Sequence, residues 1–163
     1  MRTVKLLILF LALGAGTARP ADTTIYPDVS QARTDIAAAL KTAAASHKRV
    51  LLDFGGDWCP DCKVLDIYFH DAANSPLVEA NFVVVHINIG HKDANLDIAK
   101  KYQIPIDKGV PALAVLSDHG KLLFAQQTGQ FEDMRHMESS SLTDFLVKWK
   151  PAKPGCSVVM ARC

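Results

Sequence analysis

The chain has 163 residues, 18 basic against 17 acidic side chains, and a hydrophobic content of 49%. The length suits one domain with a sizeable core. The near-neutral balance excludes the basic field that nucleic acid requires, and no long acidic run marks a disordered tail.

Residues 1–18 read as a signal peptide. Arg2 and Lys5 form a positive start, Leu6 to Ala15 is an apolar run too short for a mature membrane span, and Gly16-Thr17-Ala18 offers small residues for cleavage. Cleavage after Ala18 is expected, with Ala21 and a retained anchor as alternatives. Export would place the chain in the bacterial periplasm or outside the cell, where cysteines are free to form disulfides. The remaining chain divides into a domain over 19–150 and a tail over 151–163.

Arg19 to Pro27 reads as an extended lead-in. Val29-Ser30 caps a helix to about Ser46, packed through Ile36, Leu40 and several alanines. After the polar break His47-Lys48-Arg49, Val50 to Phe54 is an almost continuous apolar run, the pattern of a central strand buried on both faces. Its one acid is Asp53. A carboxylate there is costly without a task or a partner, and burial would raise its pKa.

The chain then breaks at Gly55-Gly56 and re-enters helix near Trp58-Cys59-Pro60-Asp61-Cys62-Lys63. Residues three apart on a helix are neighbours, so Cys59 and Cys62 can close a small disulfide or open to a dithiol. Cys59 falls at the helix N-terminus, where unpaired N–H groups and the positive dipole end favour a thiolate. Pro60 suits the first helical position. Cys59 is therefore the expected attacking sulfur and Cys62 the resolving one. An inert disulfide closing so short a loop would gain little. Zinc would need a second ligand pair, which the sequence lacks.

Beyond the loop Asp71 to Asn74, Ser75 caps a short helix with Pro76 at its first position. Phe82 to Ile89 is a second buried strand, and its His86 could lie near Asp53. A helix spans Asp93 to Tyr102. Ala112 to Leu116 and Lys121 to Ala125 are strands joined by a turn at Ser117 to Gly120. Gln130 to Glu138 reads as an insertion suited to a partner. His91, Met134, His136 and Met137 carry copper-ligand chemistry, but a polar loop is the simpler account, and no metal is assigned. Ser139 to Trp149 is an amphipathic helix, with Leu142, Phe145, Leu146 and Trp149 on one face. In the tail, a local disulfide between Cys156 and Cys163 is the leading reading, worth about 2–3 kcal/mol at most. A second redox pair or an intermolecular bridge is the alternative. The element order gives an α/β fold.

Asp53-Phe54, then Trp58-Cys59-x-x-Cys62-Lys63, and later Gly109-Val110-Pro111 follow the order of motifs in the thioredoxin superfamily. From about Ile36 to Trp149 the chain resembles that family, most nearly its periplasmic members and the C-terminal domain of DsbD-type thiol:disulfide interchange proteins. The resemblance implies a thioredoxin-like fold with a central mixed β-sheet flanked by helices on both faces, no cofactor, and exchange of disulfides in partner proteins through a mixed disulfide. It also implies an upstream redox partner and a monomeric protein. It assigns Asp53 to the proton of Cys62, Pro111 to the cis-proline facing the dithiol, and Val110 and Trp58, with Gly109, to the substrate groove. Lys63 is either a cation that helps the thiolate or a solvated lysine.

Two features depart from thioredoxin. Asp61 stands in the dipeptide that is usually Gly-Pro, and with Asp57 it should oppose the Cys59 thiolate and lean the couple toward a reductant. Gly55-Gly56 replaces larger residues, which is expected to widen the site. Oxidase or isomerase activity, or a non-catalytic binding module, are the rival functions.

Overall fold

A computed structural model describes residues 24–152. The predicted leader 1–18 and the Cys156–Cys163 pair lie outside the described residues.

Asp28 accepts the amide of Ser30 and opens a 3-10 turn at Val29–Gln31, from which α1 (Ala32–Ser46) continues. The cap is thus one residue earlier than Val29-Ser30 suggested. His47 closes α1 in the left-handed conformation. Strand β1 (Arg49–Gly55) leads to α2 (Pro60–Phe69), and α3 (Ser75–Asn81) leads to β2 (Phe82–Asn88). Ser75 is the first residue of α3, and Asn74 takes the cap position. Asn74 is held there because Asp71 Oδ1 accepts the amides of Ala73 and Asn74, at 3.0 and 2.8 Å.

The helix expected over Asp93 to Tyr102 is shorter: α4 spans Leu96–Lys101. Its first turn is lost because Ile89 O receives the amides of Lys92, Asp93 and Ala94, and Asn95 is left-handed. Strands β3 (Ala112–Leu116) and β4 (Leu122–Ala125) precede α5 (Ser139–Trp149).

The sheet runs β2-β1-β3-β4, with β1 parallel to β2 and antiparallel to β3, and β3 antiparallel to β4. Strand β1 is therefore internal, as its apolar run requires. Its alternation sorts the core into two layers. Val50, Leu52 and Phe54 pack with Ile36, Ala39 and Ala43 of α1, while Leu51 packs with Leu65, Phe69, Leu142 and Leu146 of α2 and α5. Asp53 shares the face of Leu51, and the parallel register sets it beside His86. The expected mixed sheet with helices on both faces is the observed architecture. Among the described residues, no helix is long and apolar enough to cross a membrane.

Candidate functional site

The two cysteines sit where β1 hands over to α2. Cys59 is the N-cap of α2, extended in backbone, and its Sγ accepts the Cys62 amide at 3.1 Å. Pro60 follows at the first helical position. Cys59 and Cys62 form a disulfide with a Cα–Cα distance of 5.3 Å, and both are buried. A helix N-terminus supplies aligned N–H donors and a partial positive charge, so a thiolate released there on reduction is favoured.

Across from Cys59, the Val110–Pro111 peptide bond is cis, and the Val110 carbonyl oxygen lies 3.6 Å from Cys59 Sγ. Gly109 precedes it at φ 128°, a conformation that disfavours any side chain, and a Cβ there would also strike the side chain of Glu132. Trp58 is 42% exposed on the other flank, donates its indole N–H to Gly90 O and stacks on His91. Trp58 and Val110 thus border the disulfide, and Pro111 follows Val110 through the cis bond. Lys63 is exposed.

Behind the pair, Asp53 is 0% exposed. Its Oδ2 accepts Tyr26 Oη–H at 2.7 Å and lies 2.9 Å from His86 Nδ1. Among the described residues its Oδ1 has no hydrogen-bond partner. Burial, reinforced by Asp53, pushes the Tyr26 phenol far above its ordinary range, so it remains a fixed donor. Burial pulls His86 down, but the hydrogen bond and charge of Asp53, with Asp66 and Asp57, outweigh it and raise the imidazole pKa. Sequence reasoning placed His86 near Asp53 and missed Tyr26.

Gly55 and Gly56 do not widen the site. A Cβ at Gly55 would lie 2.5 Å from Tyr26 Oη and 2.8 Å from Cys62 Sγ, and one at Gly56 would lie 2.6 Å from Trp58 Nε1. The glycines make room for the tyrosine, the resolving sulfur and the indole. The space is filled.

The two acids expected to disfavour the thiolate are engaged elsewhere. Asp57 Oδ1 accepts the amides of Ile25 and Tyr26 and pins the lead-in, delivering the tyrosine to Asp53. Asp61 Oδ1 accepts the Arg135 amide at 3.0 Å and Nε–H at 3.1 Å. Burial pushes the Asp61 carboxyl up, but the backbone and side-chain bonds from Arg135 and its charge hold it below the usual range. The negative charge beside Cys59 is therefore partly compensated, which weakens the sequence argument that the couple leans toward a reductant.

Arg135 comes from the Gln130–Glu138 segment, which is not the polar loop expected. Phe131 and Met134 are buried in the α2/α5 core layer, and Met134–His136 is a 3-10 turn. The methionines and histidines considered for copper have other partners: Met134 packs in the core and Met137 against it, His91 stacks on Trp58, and His136 Nδ1 is 2.6 Å from Asp133. Among the described residues, no group of three His, Cys, Asp or Glu side chains is placed to hold a metal.

Residues 31–117, more than half the chain, match the family model for thioredoxin-like proteins. A thioredoxin from Buchnera aphidicola subsp. Baizongia pistaciae (strain Bp) is 38% identical over 73 residues, 45% of this chain and 60% of that one. The chain thus spans less than two thirds of that relative's length. Among solved structures, a disulphide isomerase from Xylella fastidiosa Temecula1 is 33% identical with a TM-score of 0.73, over 78% of this chain and 98% of that one. A thioredoxin from Thermus thermophilus, 20% identical with a TM-score of 0.51 over 76% and 83% of the two chains, shares the fold.

Proposed function

The chain belongs to the thioredoxin superfamily, and on that premise we propose that it is an exported thiol:disulfide oxidoreductase acting on disulfides of partner proteins. The observation that carries the reading is the setting of Cys59: a helix N-cap whose sulfur accepts the Cys62 amide, facing the Val110 carbonyl, with a buried carboxylate behind the pair.

In the reduced protein the Cys59 thiolate attacks a substrate disulfide. An S–S bond forms to Cys59, and one substrate sulfur leaves as a thiolate that takes a proton from water. Cys62 then loses its proton to Asp53 and attacks Cys59 Sγ. The mixed disulfide breaks, the second substrate sulfur leaves and is protonated, and the Cys59–Cys62 disulfide forms. Two electrons have passed to the substrate. An upstream dithiol returns them, and the protein works as a monomer without a cofactor. Trp58, Val110 and Pro111 form the groove that holds an extended substrate segment against Cys59.

The 33% identical relative described as a disulphide isomerase favours isomerisation as a second reading. Equilibration with glutathione separates the directions: a potential near about −270 mV marks a reductant, and one near about −120 mV a donor of disulfides.

Insulin reduction with a dithiol donor tests the activity. The wild-type protein is expected to turn over and Cys59→Ser to lose turnover. Activity that survives in Cys59→Ser contradicts the proposal. Export through residues 1–18 predicts that the protein recovered from the periplasm begins at Arg19, and an unprocessed cytosolic protein would oppose it.

A further inference from the structure

Asp53 presents a problem that the reaction above does not solve. It is sealed from solvent, yet in each cycle it must take a proton from Cys62 and later return one. Its two oxygens are unlike. Among the described residues Oδ1 is without a partner, whereas Oδ2 is held by Tyr26 and His86. Tyr26 is itself buried at 2% exposure and leads nowhere.

His86 is different. Its ring spans from the buried carboxylate to the surface: Nδ1 is 2.9 Å from Asp53 Oδ2, and Nε2 is 4.0 Å from Asp66 Oδ1 on α2. The side chains of His86 and Asp66 are 21% and 23% exposed. His86 also lines a groove of about 400 Å³ between α2, α3 and β2, with Lys48, His70 and Glu79 around it. Phe69 and Tyr26 both pack edge-on against the ring.

We propose that His86 is a positioning and proton-conducting residue that couples Asp53, and through it Cys62, to solvent. The inference rests on the thiol:disulfide reading above. When Asp53 Oδ1 receives the Cys62 proton, Oδ2 no longer needs a cationic partner, and the imidazolium gives its Nε2 proton to Asp66 or water. One proton enters the Asp53–His86 pair and one leaves, so the pair keeps its net charge while the negative charge of Cys62 passes through the new disulfide to the departing substrate sulfur. When the disulfide is reduced again, Cys62 recovers its proton from Asp53 and His86 takes one from solvent. No uncompensated charge is left in the core, where it would be costly. Imidazole suits this task because its two nitrogens exchange protons near neutral pH.

The groups facing the ring are Asp53 from β1, Tyr26 and Asp57 from the lead-in and loop, and Asp66 from α2. Lys48, His70 and Glu79 border the groove. The carboxylates raise His86, so the Cys62 step should follow a titration shifted upward from an ordinary histidine.

The test uses wild-type protein, His86→Gln and His86→Ala, each loaded at Cys59 as a mixed disulfide with a small aromatic thiol. Release of that thiol reports attack by Cys62, and alkylation of Cys59 by iodoacetamide in a separate, fully reduced and unloaded sample reports the first thiol alone. Positioned acid–base groups typically contribute ~10²–10⁴-fold. The expected result is a slowing of at least about tenfold in thiol release for both variants, a changed pH profile, less than about twofold change in Cys59 alkylation, and partial rescue of His86→Ala by added imidazole. His86→Gln retains a donor for Asp53 and guards against a merely folding defect. Release that keeps the wild-type rate and pH profile in either variant overturns the proposal, as does a slowing that imidazole leaves untouched. If wild-type protein fails to reduce insulin, the thiol:disulfide reading falls; if wild type is active and only these results fail, the conduit alone falls.

Discussion

Among single residues, the Cys59–Cys62 pair and Asp53 were legible because each violates its surroundings: two sulfurs at a strand-to-helix junction, and one acid in an apolar strand. Tyr26 and Arg135 were not, because what gives them meaning is distant in sequence. Tyr26 bonds Asp53 across 27 positions, and Arg135 reaches Asp61 across 74. No local pattern announces either. The Arg135–Asp61 link makes a prediction at this scale. Arg135→Ala leaves the Asp61 charge uncompensated and should raise the Cys59 pKa and make the couple more reducing. Asp61→Asn should do the reverse, and both changes should be modest because the Arg135–Asp61 ion pair is half-exposed and worth about 0.2–1 kcal/mol. Thiolate absorbance against pH checks this, and in Asp61→Asn the Arg135→Ala change should have little further effect. Gly55→Ala is a second case. Its Cβ meets Tyr26 Oη and Cys62 Sγ, so a loss of about 1–3 kcal/mol is expected from overpacking, read by urea unfolding.

The elements themselves followed from periodicity where a helix or strand has one buried face. Helix α5 buries Leu142, Phe145 and Leu146 at the expected spacing, and β1 is the internal strand. Segments without periodicity were harder. The loop after α2 contains Asn74, fully buried, whose Oδ1 accepts Thr143 Oγ1–H at 2.7 Å and whose Nδ2 donates to Ser139 Oγ at 3.0 Å. It fastens the α2–α3 turn to α5. Asn74→Ala leaves buried groups unpaired and should cost about 1–3 kcal/mol, whereas Leu146→Ala should cost about 2–5 kcal/mol by emptying core volume. Chemical denaturation measures both. The core anchoring of the Gln130–Glu138 segment is hidden for the same reason: Phe131 and Met134 hold it in the core, but their spacing belongs to no regular element.

Across the whole molecule, a fold that sets a half-buried histidine against a buried acid ties stability to pH. His86 has a folded pKa raised above its unfolded value, so its contribution is complete below about 6.5 and is lost as pH rises through the folded value. Asp61 has a lowered folded pKa, so its contribution holds above the unfolded value and fades as pH falls through the folded one. Stability from these two groups is therefore greatest in weakly acidic solution. Urea midpoints across pH should show a decline on the alkaline side, and His86→Gln should flatten it. The same buried acid stands behind a disulfide at a helix N-terminus, which is the basis for proposing exchange chemistry for this domain.

Capture of a partner tests that assignment most directly. With Cys156 and Cys163 changed to serine, Cys62→Ser should accumulate mixed disulfides with exported proteins through Cys59, released by a reductant. Cys59→Ser should accumulate none. Equal capture by both variants, or none by either, would contradict a mechanism in which Cys59 attacks and Cys62 resolves.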